Sequence, residues 1–304
     1  MNHIIESQQF TRKRIQEIFA IADALAKSYT RPLKNKIMAS LFYEPSTRTR
    51  FSFESAMMRL GGNVITTENA RDFSSAAKGE TLEDTIRTVH TYADIIVLRH
   101  FQEGAARRAA AVSGVPIINA GDGAGQHPTQ AILDLYTIYK ELGRIDGIHI
   151  AFVGDLKYGR TVRSLAYLLG KYKNVTMFFV SPKRLKIRND IKQYLRRHRV
   201  VYRETSDLDR VLSDLDVLYQ TRIQKERFPH IQEYNKYKGH YIITRRDADR
   251  MKPTSIIMHP FPRVDEILPE VDTSSKVVYF KQAKYGLITR MALLYLLLCK
   301  KQRR

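Results

Sequence analysis

Six arginines stand where a short apolar run gives way to a polar stretch: Arg48, Arg50, Arg99, Arg160, Arg222 and Arg263. A guanidinium is a planar fork matched to carboxylate and phosphate oxygens. Its recurrence at such junctions points to a small substrate pair carrying several negative charges. The densest group is STRTR at 46–50, which follows FYEP and opens an amphipathic pattern. A helix N-terminus is already partly positive and favours acidic residues. Arginine in that turn therefore implies an anion arriving from outside. Backbone N–H groups, the hydroxyls of Ser46, Thr47 and Thr49, and the Arg48 guanidinium together suit a phosphate. Capping would account for Ser46 by itself, but not for arginine in the first turn.

Other residues carry weaker signals. His127, taken alone, fits a structural histidine as well as a catalytic one; followed by Pro128, Thr129 and Gln130 after GDGAGQ, it becomes a candidate. Asp155 in VGDLKYGR invites a nucleotide reading, but the G-x-G-x-x-G fingerprint is missing, so it reads as structural. His259 and Asp265 lack partners at metal-ligand spacing and read as loop organisers. Cys299 is the single cysteine, which excludes an internal disulfide or a Cys-rich metal site. No metal or cofactor is expected.

The elements that must position these residues alternate. Apolar runs at 36–44, 92–100, 115–121, 148–155, 175–182, 216–221 and 255–260 read as strands. Amphipathic stretches at 50–62, 105–114, 128–143 and 160–172, with a last one from about Leu287, read as helices. Pro128 and Gly143 frame the 128–143 helix as the Pro-first, Gly-last asymmetry predicts. Alternation of this kind predicts an α/β fold of two doubly wound parallel-sheet domains joined by interdomain helices. The expected domains are 1–135, with the C-terminal helix at about 287–304 packing back on it, and 136–286. Ligands of such sheets bind beyond the carboxyl ends of the strands, and the residues singled out above lie there.

The 304 residues include 51 Lys plus Arg against 31 Asp plus Glu, a net charge of +20, with 43% hydrophobic residues. That balance suits a polyanion. The excess concentrates at 183–203, where Ile187, Ile191, Tyr194 and Leu195 fall at helical spacing; this reads as a solvated helix face, with nucleic-acid contact as the alternative. The first residues lack a secretory pattern, and the apolar run at 291–299 is too short for the roughly 20 residues of a membrane span. A cytoplasmic protein is expected.

FYEPSTRTRFSFE, HPTQ and HPFPRVDE resemble the signatures of the aspartate/ornithine carbamoyltransferase family. KGETLEDT, VGDLKYGRTV and TRIQKER resemble its aspartate branch. The resemblance spans nearly the whole length, in family order. It implies transfer of a carbamoyl group from carbamoyl phosphate to the amine of L-aspartate in pyrimidine synthesis. It also implies that Ser46, Thr47, Arg48 and Thr49 hold the phosphate, and that Arg99 and His127 join Thr49 on the carbonyl oxygen. Gln130 and the backbone carbonyls of Phe261 and Pro262 would take the carbamoyl NH2, Arg160 the α-carboxylate of aspartate, and Arg222 and Gln224 its β-carboxylate. Ser74 and Lys78 would reach a neighbouring subunit's site, making a homotrimer with shared active sites. A separate regulatory chain is a further partner the resemblance allows, with 101–107 as its contact. Phe261 departs from the family's usual Leu. Two alternatives remain: transfer to another amino acid such as ornithine, and a non-catalytic polyanion-binding module.

Overall fold

The structure, a computed structural model, describes residues 2–27, 30–70, 75–225, 228 and 230–299. It contains two compact units, one of Met1–Leu133 with Ala283–Arg304 and one of Asp134–Gln282.

The first unit is built on a four-stranded sheet of β1 (Ile37–Phe42), β2 (Asn63–Glu68), β3 (Ile95–His100) and β4 (Ile117–Asp122), in the order β2-β1-β3-β4. Every pairing is parallel. Its described helices include α1 (Arg12–Lys27), α2 (Thr47–Arg59), α3 (Leu82–Val89) and α4 (Ala105–Val112). Central strands β1 (IMASLF) and β3 (IIVLRH) are buried almost throughout and open on apolar residues, as a sheet covered on both faces requires. Ala39, Leu41, Ile96 and Leu98 pack against Ile86, Ala105 and Ala109 of the covering helices. The edge strand β2 is largely exposed; NVITTE holds only two apolar residues, Val64 and Ile65, so the strand expectation missed it.

The second unit holds β5 (His149–Val153), β6 (Thr176–Val180), β7 (Val201–Thr205), β8 (Val217–Gln220) and β9 (Ile256–Met258), again all parallel, in the order β7-β6-β5-β8-β9. Its helices include α5 (Pro128–Leu142, beginning in the first unit), α6 (Arg160–Leu169), α7 (Asn189–Arg197), α8 (Ile231–Asn235) and α9 (Arg245–Arg250). The last helix, α10 (Tyr279–Leu298), starts eight residues before the expected Leu287, because Tyr279 and Gln282 are drawn into the interior of the second unit.

The basic run divides. Ile191 and Leu195 of α7 point inward, and Ile187 is buried ahead of it. Arg184 pairs with Glu233, Arg188 with Asp190 and Lys192 with Glu204. Residues 201–203, expected on the same helix face, are instead the start of the edge strand β7. Among the described residues no helix is long and apolar enough to cross a membrane, and no group of three or more His, Cys, Asp or Glu could hold a metal ion.

Candidate active site

In each sheet the strand order reverses once, and the gap between the diverging crossovers is where an open α/β sheet admits a ligand. In the first sheet the reversal lies between β1 and β3. In the second it lies between β5 and β8. The first reversal carries residues 46–50 and Arg99; the second carries Arg160, Arg222 and Gln224.

At the first reversal the chain leaves β1 through Tyr43, whose N–H donates to the Arg99 carbonyl at 2.8 Å. Parallel register sets Phe42 beside Arg99. Ser46 then sits at the cap of α2, but its hydroxyl makes no capping bond. That removes the capping explanation and leaves the hydroxyl available to a ligand. Thr49 is buried while Thr47 and Arg48 are exposed. The two first-turn arginines take different roles. Arg50 is turned onto Glu68 at 3.0 Å and Glu54 at 3.8 Å, a structural pairing that fastens α2 to β2. Arg48 points outward from the positive end of a helix with no acidic residue in its first turn, which is the electrostatic setting for an incoming anion. Arg99 lies 3.6 Å from Glu44, an interaction that steers the guanidinium from the end of β3.

The loop after β4 brings in His127 and Gln130. Asp122 organises it: one carboxylate oxygen accepts Gln126 N–H at 2.8 Å, the other Gly104 N–H at 2.9 Å. Gln126 is held in turn by the N-terminal segment, accepting Ser7 N–H at 2.8 Å and donating to Gln8 at 2.7 Å. His127, 3% exposed, and Gln130, 8% exposed, follow at the start of α5. The His127 Nδ1 lies 3.3 Å from the Thr129 hydroxyl. His100, also buried, has its pKa pushed down to about 4, by desolvation first and by the Arg108 charge second. It stacks on Phe101, packs at a tilt against Tyr43 and accepts the Gln102 N–H, so it serves the sheet end as a neutral packing group.

The second reversal rests on a close approach. Gly154 follows β5 at φ +116°, and a β-carbon there would lie 2.3 Å from the Thr221 carbonyl oxygen. Asp155 bridges the same two loops. Its carboxylate accepts the Tyr158 N–H at 3.0 Å, with further backbone bonds from Gln224 and Lys157. Burial raises its pKa to about 6 against those bonds. Arg160 is the first residue of α6, so its helix also offers a positive end. Arg222 and Gln224 follow β8, half-buried. The loop after β9 contains the cis Phe261-Pro262 bond, with Phe261 at φ +53°. Phe261 packs edge-on to Tyr279 and beside Phe280, neighbours that a flat ring fills. Arg263, one of the six junction arginines, pairs instead with Asp272 and Tyr279 and is committed to this loop's structure.

The structure thus gathers Ser46, Thr47, Arg48, Thr49 and Arg99 at one strand-end crevice, with His127 and Gln130 on the neighbouring β4 loop. Arg160, Arg222 and Gln224 gather at the other, with Phe261 and Pro262 after β9. Lys78, exposed, ends the 3-10 helix Ser75–Lys78 and is joined to neither. Ser74 lies outside the described residues. Sequence reasoning missed Asp134, Tyr219 and Gln282, three buried polar groups bonded to one another. The available signal was a carboxylate at a core position of the α5 pattern.

Residues 2–140 match the carbamoyl-phosphate-binding domain of the aspartate/ornithine carbamoyltransferases, and residues 146–297 match their Asp/Orn-binding domain. The chain is 59% identical over 304 residues to the pea chloroplastic aspartate carbamoyltransferase 3, covering 98% of this chain and 78% of the pea protein. Its fold is similar to the catalytic subunit of Methanocaldococcus jannaschii aspartate transcarbamoylase, at 53% identity and a TM-score of 0.91 over all of both chains. It is also similar to the Trypanosoma cruzi enzyme solved with carbamoyl phosphate and aspartate, at 41% identity and a TM-score of 0.92, covering 97% of this chain and 96% of that one. The chloroplastic pea relative overturns the expectation of a cytoplasmic protein; that expectation rested on a missing secretory pattern, which carries no information about plastids. Matched in order along both units, the chain belongs to the aspartate/ornithine carbamoyltransferase family, on its aspartate branch.

Proposed function

We propose that this chain transfers the carbamoyl group of carbamoyl phosphate to the amine of L-aspartate, giving N-carbamoyl-L-aspartate and phosphate for pyrimidine synthesis. One observation carries the reading: each sheet has an arginine-bearing loop at its strand-order reversal, and two crevices of that kind suit one phosphate donor and one dicarboxylate acceptor.

Ser46, Thr47, Arg48 and Thr49 hold the phosphate. Thr49, Arg99 and His127 donate to the carbonyl oxygen, where negative charge grows as the amine attacks. A preset donor at such a point is worth roughly 3 kcal/mol of barrier. Gln130 and the carbonyls of Phe261 and Pro262 orient the NH2 group. Arg160 takes the α-carboxylate, and Arg222 with Gln224 the β-carboxylate. The aspartate amine is itself the nucleophile. A new C–N bond forms, the C–O bond to phosphate breaks, and a phosphate oxygen accepts the amine proton while Arg48 stabilises the departing anion. Orienting the two anions against each other supplies most of the remaining acceleration.

The same reading makes the active unit a homotrimer in which Ser74 and Lys78 complete a neighbour's site, and it allows a separate regulatory chain. The pea relative's location supports a plastid setting for this chain. The test is to supply purified protein with carbamoyl phosphate and either L-aspartate or L-ornithine, and to follow phosphate and carbamoylated product together. Product with aspartate alone is expected. Product with ornithine, or with neither, overturns the reading.

A further inference from the structure

The second unit contains one connected line of buried polar side chains. Tyr219 on β8 donates its hydroxyl to Asp134 at 2.7 Å and also meets the Thr161 side chain. The other Asp134 oxygen accepts the Gln282 amide at 2.6 Å. The Gln282 carbonyl oxygen accepts the His259 N–H at 3.0 Å. His259 Nδ1 accepts the Phe261 N–H at 2.8 Å, which puts the ring proton on Nε2, and Nε2 donates to Glu266 at 2.7 Å. The second Glu266 oxygen accepts the N–H groups of Val264 and Asp265 at 3.3 and 3.2 Å. Tyr219, Asp134, Gln282, His259 and Glu266 are at most 7% exposed.

Buried polar lines of this length are poor stabilisers. Each group loses its water, and well-packed apolar side chains do as well or better. What such a line does well is fix geometry, because every member has one arrangement in which all donors are satisfied. Its two ends identify what is fixed. One end is Thr161, which follows Arg160 in the first turn of α6. The other is the turn that presents Phe261 and Pro262.

We propose that the Thr161–Tyr219–Asp134–Gln282–His259–Glu266 line is a positioning device that holds Arg160 and the Phe261 and Pro262 carbonyls in register, so that both substrates depend on the same buried hydrogen bonds. The inference rests on the site assigned above. Tyr219, Asp134, Gln282, His259 and Glu266 are positioning residues, since they act through the groups they hold. His259 must stay neutral and in one tautomer: a proton on Nδ1 would face the Phe261 N–H.

The test exploits the polarity of the central bond. D134N can turn its amide group toward the Gln282 amide, donor against donor. Q282E sets a carboxylate against the Asp134 carboxylate. The double variant D134N/Q282E moves the charge across the bond and satisfies every group again: Tyr219 donates to the new amide oxygen, the new amide donates to the new carboxylate, and that carboxylate accepts the His259 N–H. Steady-state kinetics of the full chain, well below each variant's melting temperature, should show both single variants with KM for carbamoyl phosphate and for aspartate raised about tenfold, one lost hydrogen bond's worth. The double variant should return to within about threefold of the parent. A folded single variant with both KM values unchanged overturns the proposal, as does a double variant no better than its worse parent. If the single variants do not fold, Y219F removes one hydroxyl only, and an unchanged aspartate KM in that protein also overturns it. A line serving stability alone would lower the melting temperature and leave both KM values in place. An unmodified chain that transfers no carbamoyl group would sink the functional reading itself; an active chain with indifferent variants sinks only the positioning role.

Discussion

Gly154 and Thr221 meet backbone to backbone: a β-carbon on the glycine would stand 2.3 Å from the threonine carbonyl oxygen. Thr221 also returns its hydroxyl to the Val153 carbonyl at 2.8 Å. The two loops that bear Arg160 and Arg222 are therefore spaced by a residue with no side chain. Gly154→Ala must both adopt φ +116° and push a carbonyl away. We expect a loss of about 2–4 kcal/mol in urea unfolding and a rise in aspartate KM larger than that in carbamoyl-phosphate KM. Equal changes in the two KM values would count against the assignment of these loops to aspartate.

Arg48→Ala removes an exposed side chain from the first turn of α2 and should leave the melting temperature within a degree or two. Turnover should fall about 10²- to 10³-fold if the guanidinium meets the leaving phosphate. Arg50→Ala is the control with the opposite profile, because it breaks the pairing with Glu68 and Glu54. Stability should suffer there more than turnover. Near-normal turnover in Arg48→Ala would remove the leaving-group role.

Asp155 gives a pH signature. Burial raises its pKa from 3.8 to about 6, so the folded state binds the proton more tightly than the unfolded chain does. The stability this contributes is fully present below pH 3.8 and is lost as the pH rises through about 6. Within that window the slope is at most about 1.4 kcal/mol per pH unit. Unfolding free energies measured from pH 4 to 7 should show the slope in the parent and a flatter curve in Asp155→Asn. Parallel curves would mean that the carboxyl titrates normally.

Shared sites can be tested by mixing. A chain defective at Lys78 and a chain defective at Arg48 should each be inactive alone. After subunit exchange, hybrid trimers would hold some sites with both residues intact, and part of the activity should return. No recovery after verified exchange would count against sites built across subunits.

The sequence revealed most where one physical constraint dominated. Buried central strands such as β3, β5 and β6 advertise themselves as apolar runs, and their carboxyl ends then mark the candidate residues. The edge strands β2 and β7 were not legible, because a strand open to solvent need not be apolar. Arg48 and Arg50 are indistinguishable by type and nearly so by position; only the placement of Glu54 and Glu68 marks Arg50 as a structural pair. Asp134, Gln282 and Tyr219 were missed for a related reason. Hydrogen bonds between residues 85 and 148 positions apart leave no local pattern.

The reversal of strand order in each sheet has a consequence for how this family diversifies. The loops assigned to the donor's phosphate grow from one sheet, and those that would recognise the acceptor's carboxylates grow from another. Selection can then rewrite acceptor choice through the crossings after β5 and β8 while the phosphate-holding loops after β1 and β3 are kept. New chemistry on this scaffold becomes a question of which amine is delivered.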